Sequence, residues 1–488
     1  MLTRRAFVVG SALVGAGASW VEISVAGTRR AATPLPIPRL IDTRANGGKV
    51  SLTIGSGMHA FWPGMEVKSF GYSAPVLGPA LRLRRGETTE VSFENKMDEP
   101  TTVHWHGVLI PGSVDGGPHN LIRPGQSWTA RLSIDQPEAT AWFHPHPHGA
   151  TASQVYWGLA GLLLIEDASG ERLGLPRNYG VDDLPLVIQD RVIGRGGSPV
   201  YDPGPMDVMA GYRGDVFIVN GVVAPTARVP AGIVRLRFVN GANARFFDLR
   251  FSDSRTFNVI GSDGGYLPVP VPLQRLLFAP GERYEVLVDF SDGRQVTLLT
   301  GPDRNLPMMG MMMGGAMPAD GGNLLTFEVD TSLPVSAKAL PGALVSVPAI
   351  DRANIVKTRQ FMLNDMMMGS GMMMGGRGGS IMAINGKPFE MDRIDVSTKR
   401  GTIELWQIES RMMGHPFHVH GTQFQILSMD KQRPPAHMQG WKDTVIVARE
   451  AEILVPFSQP ASADAAFMFH CHILEHEDAG MMGQYICA

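Results

Sequence analysis

The sequence predicts an all-β protein built from about three sandwich domains. Three observations carry this expectation. Short apolar and β-branched runs alternate with polar residues along the chain, and 57 glycines and 36 prolines supply the turns between them. Long helical periodicities are scarce. A chain of 488 residues also exceeds one ordinary core and suggests about three units of roughly 150 residues.

The N-terminus pairs Arg4 with Arg5, followed by Phe7 and a modest apolar run to about Ala18. This reads as a twin-arginine signal peptide within 1–32, with a small-residue pattern at Ala16-Gly17-Ala18 where it could be cut. The apolar run is too short and too glycine-broken for a membrane span, so export to the periplasm is expected. Residues 33–47 form an extended lead-in to the first unit, 33–170, in which strand alternation begins at Val50–Ile54. It continues at Leu81–Arg84 and Val91–Glu94 and ends in an apolar strand over 158–166. The second unit, 171–340, carries strands at Val216–Val219, Val234–Val239 and Tyr284–Val288, and no histidine lies between 184 and 329. It reads as a spacer that shapes the assembly. The third unit, 341–488, repeats the layout around Asn385-Gly386 and Thr402–Trp406. Asn220-Gly221 occupies a similar place in the second unit, so the two look like degenerate copies of one sandwich.

Two methionine-rich segments interrupt the pattern, one at 308–317 and one at 362–374. Glycine-spaced methionines make poor strand or helix interiors and predict mobile loops. Thioethers are soft ligands that select Cu(I) over harder cations, which gives these loops a chemical reading.

The strongest signal is histidine spacing. His104-Trp105-His106, His144-Pro145-His146, His415-Pro416-Phe417-His418-Val419-His420 and His470-Cys471-His472-Ile473-Leu474-Glu475-His476 hold ten of the fourteen histidines. Residues i and i+2 of a strand share a face, so each His-X-His is a bidentate comb for a metal region. A thiolate beside imidazoles with a trailing methionine is the ligand set of a blue-copper site, and His415, Cys471, His476 and Met481 supply one. Only Cys471 and Cys487 occur, so disulfides are not the staple, and Cys487 reads as a free thiol. A net charge of −3 gives no support for a nucleic-acid partner or an anionic membrane surface.

These motifs, in this order, two early and two late, resemble those of the three-domain multicopper oxidases, the family of laccases and bacterial periplasmic cuprous oxidases. The methionine-rich segments and Gly421–Leu427 make the copper-tolerance branch the nearest likeness. The resemblance implies three cupredoxin-like Greek-key β-sandwich domains and four copper ions. A type 1 copper would lie on His415, Cys471 and His476 with Met481 axial. His104 and His418 would hold the type 2 copper, and His106, His144, His146, His420, His470 and His472 the type 3 pair. His148 ends the His-Pro-His-Pro-His run but matches no ligand position. Asp115 and Glu477 match the acidic positions that deliver protons to dioxygen in the family. Met362, Asp365 and Met413 are expected at a substrate-copper site, where Arg411 replaces an acidic residue of the best-known cuprous oxidases. The implied activity is oxidation of Cu(I) coupled to reduction of dioxygen to water, by a monomer. A laccase-like oxidation of phenols and aromatic amines is the alternative, and a non-catalytic copper-binding or structural protein of the same fold a third reading.

Overall fold

The computed structural model describes residues 33–303, 305, 321–364 and 382–488. The expected signal peptide, the methionine run 308–317 and residues 365–374 of the second run, Asp365 among them, lie outside the described residues. Strands dominate, and they assemble into six sheets stacked as three sandwiches.

In the first sandwich, Leu40–Asp42, Ala80–Arg84, Gly161–Glu166 and Ala139–Phe143 form one sheet in that order. Met65–Tyr72, Lys49–Trp62, Thr88–Asn95 and Ser127–Ser133 form the other. The second sandwich centres on Asp183–Ile193, Ile233–Asn240, Arg283–Asp289 and Phe257–Ser262, with Gly265–Leu273 at the sheet edge. In the third, Met482–Cys487, Phe467–Cys471, His415–Val419 and Thr444–Val447 lie side by side. Each sandwich encloses its own apolar core, exemplified by Phe93, Phe238 and Trp406, so each buries enough surface to hold its sheets together.

The expected repeat is visible atom by atom. Asn220 and Asn385 both adopt positive φ, 49° and 55°, ahead of a glycine at 84° and 70°. This is the twist a two-residue turn requires, which is why Asn-Gly recurs there. Asn220 Oδ1 accepts from the Val187 N–H at 2.8 Å, and Asn385 Oδ1 accepts from the Met362 N–H at 2.7 Å. In the first sandwich Ser73, with φ 52°, does the same for Thr53 at 2.9 Å.

Two expectations need correction. Met362 is not in a loop: it belongs to the strand Ile355–Asn364, where it pairs with Glu409. The lead-in is more than a connector, because Leu35 N–H donates to Thr226 O at 2.8 Å and Leu40–Asp42 joins a sheet in parallel with Ala80–Arg84.

Candidate metal centre

Strand alternation in the third sandwich creates two sites back to back. Phe417 and Val419 of one strand, and Phe467, Phe469 and Cys471 of its neighbour, face the sandwich core. Phe417 pairs with Cys471, and His418 pairs with His470. Successive side chains of a strand point to opposite faces, so His418 and His470 turn away from that core toward the first sandwich.

On the core side, His415 Nδ1, Cys471 Sγ and His476 Nδ1 form a triangle with edges of 3.3, 3.6 and 3.3 Å. The short helix Leu474–Asp478 brings His476 back over the thiol. The Ile473 N–H points at Cys471 Sγ at 3.3 Å, and Met481 is tied to both neighbours through backbone bonds to Cys471 and His476. Met481 and Met413 pack in the same buried cluster as Cys471. His476 Nε2–H donates to the Met209 carbonyl at 3.2 Å, which leaves Nδ1 as the ligating atom.

On the other side eight histidines meet, four from the first sandwich and four from the third. His104 stacks on His420 and His106 on His418, each pair with ring centroids 3.7 Å apart. His146 Nε2 lies 3.2 Å from His470 Nε2, His420 Nε2 lies 3.1 Å from the same atom, and His106 Nδ1 lies 3.4 Å from His144 Nε2. Of the eight, only His418 and His470 lie within strands; His144, His420 and His472 stand one residue past a strand end, and His104 and His106 lie in the loop between Thr88–Asn95 and Ser127–Ser133, where His104 forms an isolated bridge with His144.

Three buried carboxylates each join a histidine of the first sandwich to one of the third. Asp115 Oδ2 lies 2.8 Å from His420 Nδ1 and 3.4 Å from His104 Nδ1. Glu477 lies 3.3 Å from His146 Nδ1 and 3.2 Å from His470 Nδ1. Asp443 Oδ1 lies 3.2 Å from His106 Nε2 and 3.5 Å from His418 Nδ1, whose firmer partner is the Asp443 carbonyl at 2.8 Å. Asp115 reaches its place because Gly116, at φ 81°, lets the backbone pass where a Cβ would stand 1.7 Å from Val103 O. Arg283 of the second sandwich holds Asp443, with Nη1 2.7 Å from Oδ1, and burial of the acid is outweighed by this cation, so its carboxyl stays well below the usual range. Burial pushes the Glu477 carboxyl up, but His146 and His470 beside it bring it down to about 2. Burial pushes Glu475 up to about 7.

An ionised carboxylate or a carbonyl only accepts, so these partners fix where each ring proton sits. The outer nitrogen of His104, His106, His144, His418, His420 and His470 carries it, facing Asp115, Asp443, Pro145 or a backbone oxygen. The inner nitrogens are left with lone pairs that converge. Burial lowers His418 to about 4 and His106, His144, His146, His420 and His472 well below their ordinary value, which keeps these six neutral. Opposed lone pairs at about 3.1–3.4 Å, and the buried Nε2 of His104 and His418 without a hydrogen-bond partner, are costly until cations sit between them. Groups such as His104/His418/His420, His146/His420/His470 and His415/Cys471/His476 place their donor atoms within 4.8 Å of one another. The residues present therefore fit bound metal, imidazole-rich in one site and thiolate-containing in the other.

All twelve ligand positions expected from the sequence fall at these two sites. Asp115 and Glu477 touch the histidines directly. Met413 is buried in the core of the third sandwich, Met362 stands half-buried beside Glu409, and Arg411 is exposed. Sequence reasoning missed Asp443, Arg283 and Met209. The second sandwich supplies no histidine, yet its Arg283 and the Met209 carbonyl brace both sites, so it is more than a spacer. The one hint in the sequence was a charged pair, Lys442-Asp443, leading into the apolar run Thr444–Val447.

Models described as multicopper oxidase match three successive stretches, 54–170, 200–297 and 357–488. The chain belongs to the three-domain multicopper oxidase family. Among individual relatives, it is 36% identical to the cell division protein FtsP of Xenorhabdus nematophila over 99% of this chain and 98% of that one. It is 47% identical, with a TM-score of 0.85, to a bacterial laccase-like multi-copper oxidase CueO from the lignin-degrading bacterium Ochrobactrum sp., described with activity toward lignin model compounds and lignosulfonate. That match covers 93% of this chain and 100% of the other. A laccase from Pediococcus acidilactici is 34% identical with a TM-score of 0.80, covering 94% of each chain.

Proposed function

We propose that this chain is an exported, monomeric multicopper oxidase that oxidises Cu(I) to Cu(II) and reduces dioxygen to water, in the service of copper tolerance. In this reading His415, Cys471, His476 and Met481 would hold the type 1 copper. The type 2 copper sits on His104 and His418, and the type 3 pair on His106, His144, His146, His420, His470 and His472. Bound copper would supply the redox chemistry, taking electrons singly from substrate and giving four to dioxygen.

One observation carries the reading: Cys471, in the thiol site, is bonded through the main chain to His470 and His472, in the histidine cluster. A covalent path of a few bonds therefore joins the two donor sets. The protein does the rest by position. Asp115 and Glu477 hold acceptor oxygens against ring N–H groups at the cluster, where protons must arrive for water to form. The buried walls exclude solvent from the space between the rings.

Cu(I) is favoured as substrate because both imidazoles of the thiol site are fully buried, which denies a bulky phenol direct contact. The Ochrobactrum relative supports the laccase reading, and the FtsP relatives support a non-catalytic one. Oxygen consumption by the copper-loaded protein, with Cu(I) and with a dimethoxyphenol, separates the three. Faster consumption with Cu(I) is expected. Preference for the phenol would make the chain a laccase, and no consumption by protein holding four coppers would leave a binding or structural role.

A further inference from the structure

The short helix Leu474–Asp478 sends four successive side chains to four destinations. Successive helix positions lie about 100° apart, so each can face a different neighbour. His476 faces the thiol site and Glu477 the histidine cluster. Asp478 accepts from the Thr151 and Ala152 N–H groups of the first sandwich at 3.0 and 2.9 Å. Glu475 belongs to neither donor set and turns to the second sandwich.

Glu475 is buried, and its three partners there are all donors. Oε1 accepts from Asn243 Nδ2 at 2.7 Å and from the Tyr201 hydroxyl at 3.2 Å, and Oε2 accepts from the Tyr212 N–H at 3.1 Å. A carboxylate is kept in such a place only where donors repay its lost solvation. Asn243 reinforces the joint: its carbonyl accepts from the Leu474 N–H at 3.0 Å, and its Nδ2 also donates to the Ala152 carbonyl at 3.0 Å. All three sandwiches thus meet at one side-chain amide. Between Tyr201 and Tyr212 lies Met209, whose carbonyl takes the His476 Nε2–H. His476 is therefore gripped at its ring and, through the residue before it, at its main chain. The other imidazole of the site has a matching hold, since the Asn305 side chain exchanges two bonds of 2.8 Å with Gly414, the residue before His415.

We propose that Glu475 and Asn243 are positioning residues for the thiol site. Through them the second sandwich, which has no ligand of its own, sets where His476 stands against Cys471, and so how firmly and in what geometry the type 1 copper is held. The proposal rests on the copper assignment above. Neither residue belongs to the donor set, and both act through the helix that carries His476, as outer contacts orient a metal ligand.

The test uses full-length, copper-loaded protein and reads the type 1 copper by its blue absorption and its electron paramagnetic resonance spectrum. Asn243→Asp sets a carboxylate against Glu475 and removes both donations of the amide. A shifted blue band, a changed copper hyperfine splitting and retention of the blue colour against a chelator about tenfold weaker are expected. Glu475→Gln alone keeps the shape but points a donor at a donor, and is expected to move the same signals less. Combining Glu475→Gln with Asn243→Asp restores one donor and one acceptor across the joint, and should return the spectrum most of the way to that of the parent. General destabilisation predicts the opposite, two buried changes being worse than one. Parent-like spectra in both single variants, or a double variant no closer to the parent than Asn243→Asp, would overturn the positioning role and leave the copper assignment intact. Copper-loaded parent protein without a blue band overturns both.

Discussion

Asp443 illustrates how much of the metal centre is decided one shell away from the ligands. Its carboxylate holds the outer nitrogen of His106, so that ring presents Nδ1 inward whereas His144, opposite, presents Nε2. Asp443→Asn is expected to weaken copper retention by the cluster about 10- to 100-fold while the blue absorption survives, because the thiol site does not touch it. Copper per chain after dialysis against a chelator measures this, and unchanged retention would show that Arg283 and the backbone suffice. Asp115→Asn and Glu477→Gln should also keep the blue colour, but slow oxygen consumption by at least about tenfold if they pass protons. Equal rates in parent and variants would remove that role. At this scale the clustering of the histidines with Cys471 was legible because histidine and cysteine at His-X-His spacing have few other reasons to recur. Asp443 and Arg283 were not, since a buried ion pair has no spacing rule and its partners are 160 residues apart.

At the scale of elements, period-two alternation made the strands readable: Val216–Val219 is reproduced residue for residue, and Val234–Val239 lies inside the observed Ile233–Asn240. Boundaries were less legible where sheet pairing extends a strand past its alternating stretch, as with Lys49–Trp62, begun in the sequence at Val50–Ile54. Helices of five or six residues, such as Pro205–Ala210, carry too few turns to show a period. One strand states its own limits. Gly265–Leu273 is the edge of its sheet, Val269 is 49% exposed, and prolines at 268, 270 and 272 cannot donate a backbone hydrogen bond. An edge lacking these donors resists pairing with another chain. Pro270→Thr restores a donor and a β-branched side chain, and light scattering is expected to show concentration-dependent association absent from the parent. Indistinguishable scattering would mean that the prolines serve only the local bend.

For the whole molecule, buried ion pairs hold the first two sandwiches together. Arg235 pairs with Glu138 and Glu285, Arg237 pairs with Asp183 and Glu285, and Thr140 donates to Glu285 at 2.6 Å. Burial raises the Glu285 carboxyl, but the two arginines outweigh it and bring it from 4.5 down to about 2. A carboxyl depressed on folding stabilises the protein above its unfolded value and loses that contribution as pH falls toward the folded one. The window therefore runs from about pH 4.5 down to 2, and the difference amounts to about 3 kcal/mol as an upper figure. Denaturation midpoints followed from pH 6 to 3 should fall steeply at the acid end. Glu285→Gln should start lower, its arginines left uncompensated, and fall less. An identical slope in both proteins would place the acid sensitivity elsewhere.

The carboxylates that join histidines of the first and third sandwiches have a temporal consequence. Asp115 and His420 are 305 residues apart, and His146 and Glu477 are 331 apart. Loop closure over such separations comes late in folding, so the cluster is a latch that shuts last. A growing chain exposes His104 and His106 long before their counterparts exist. Copper arriving early would meet only half a cage, and loading must wait until the final residues have docked.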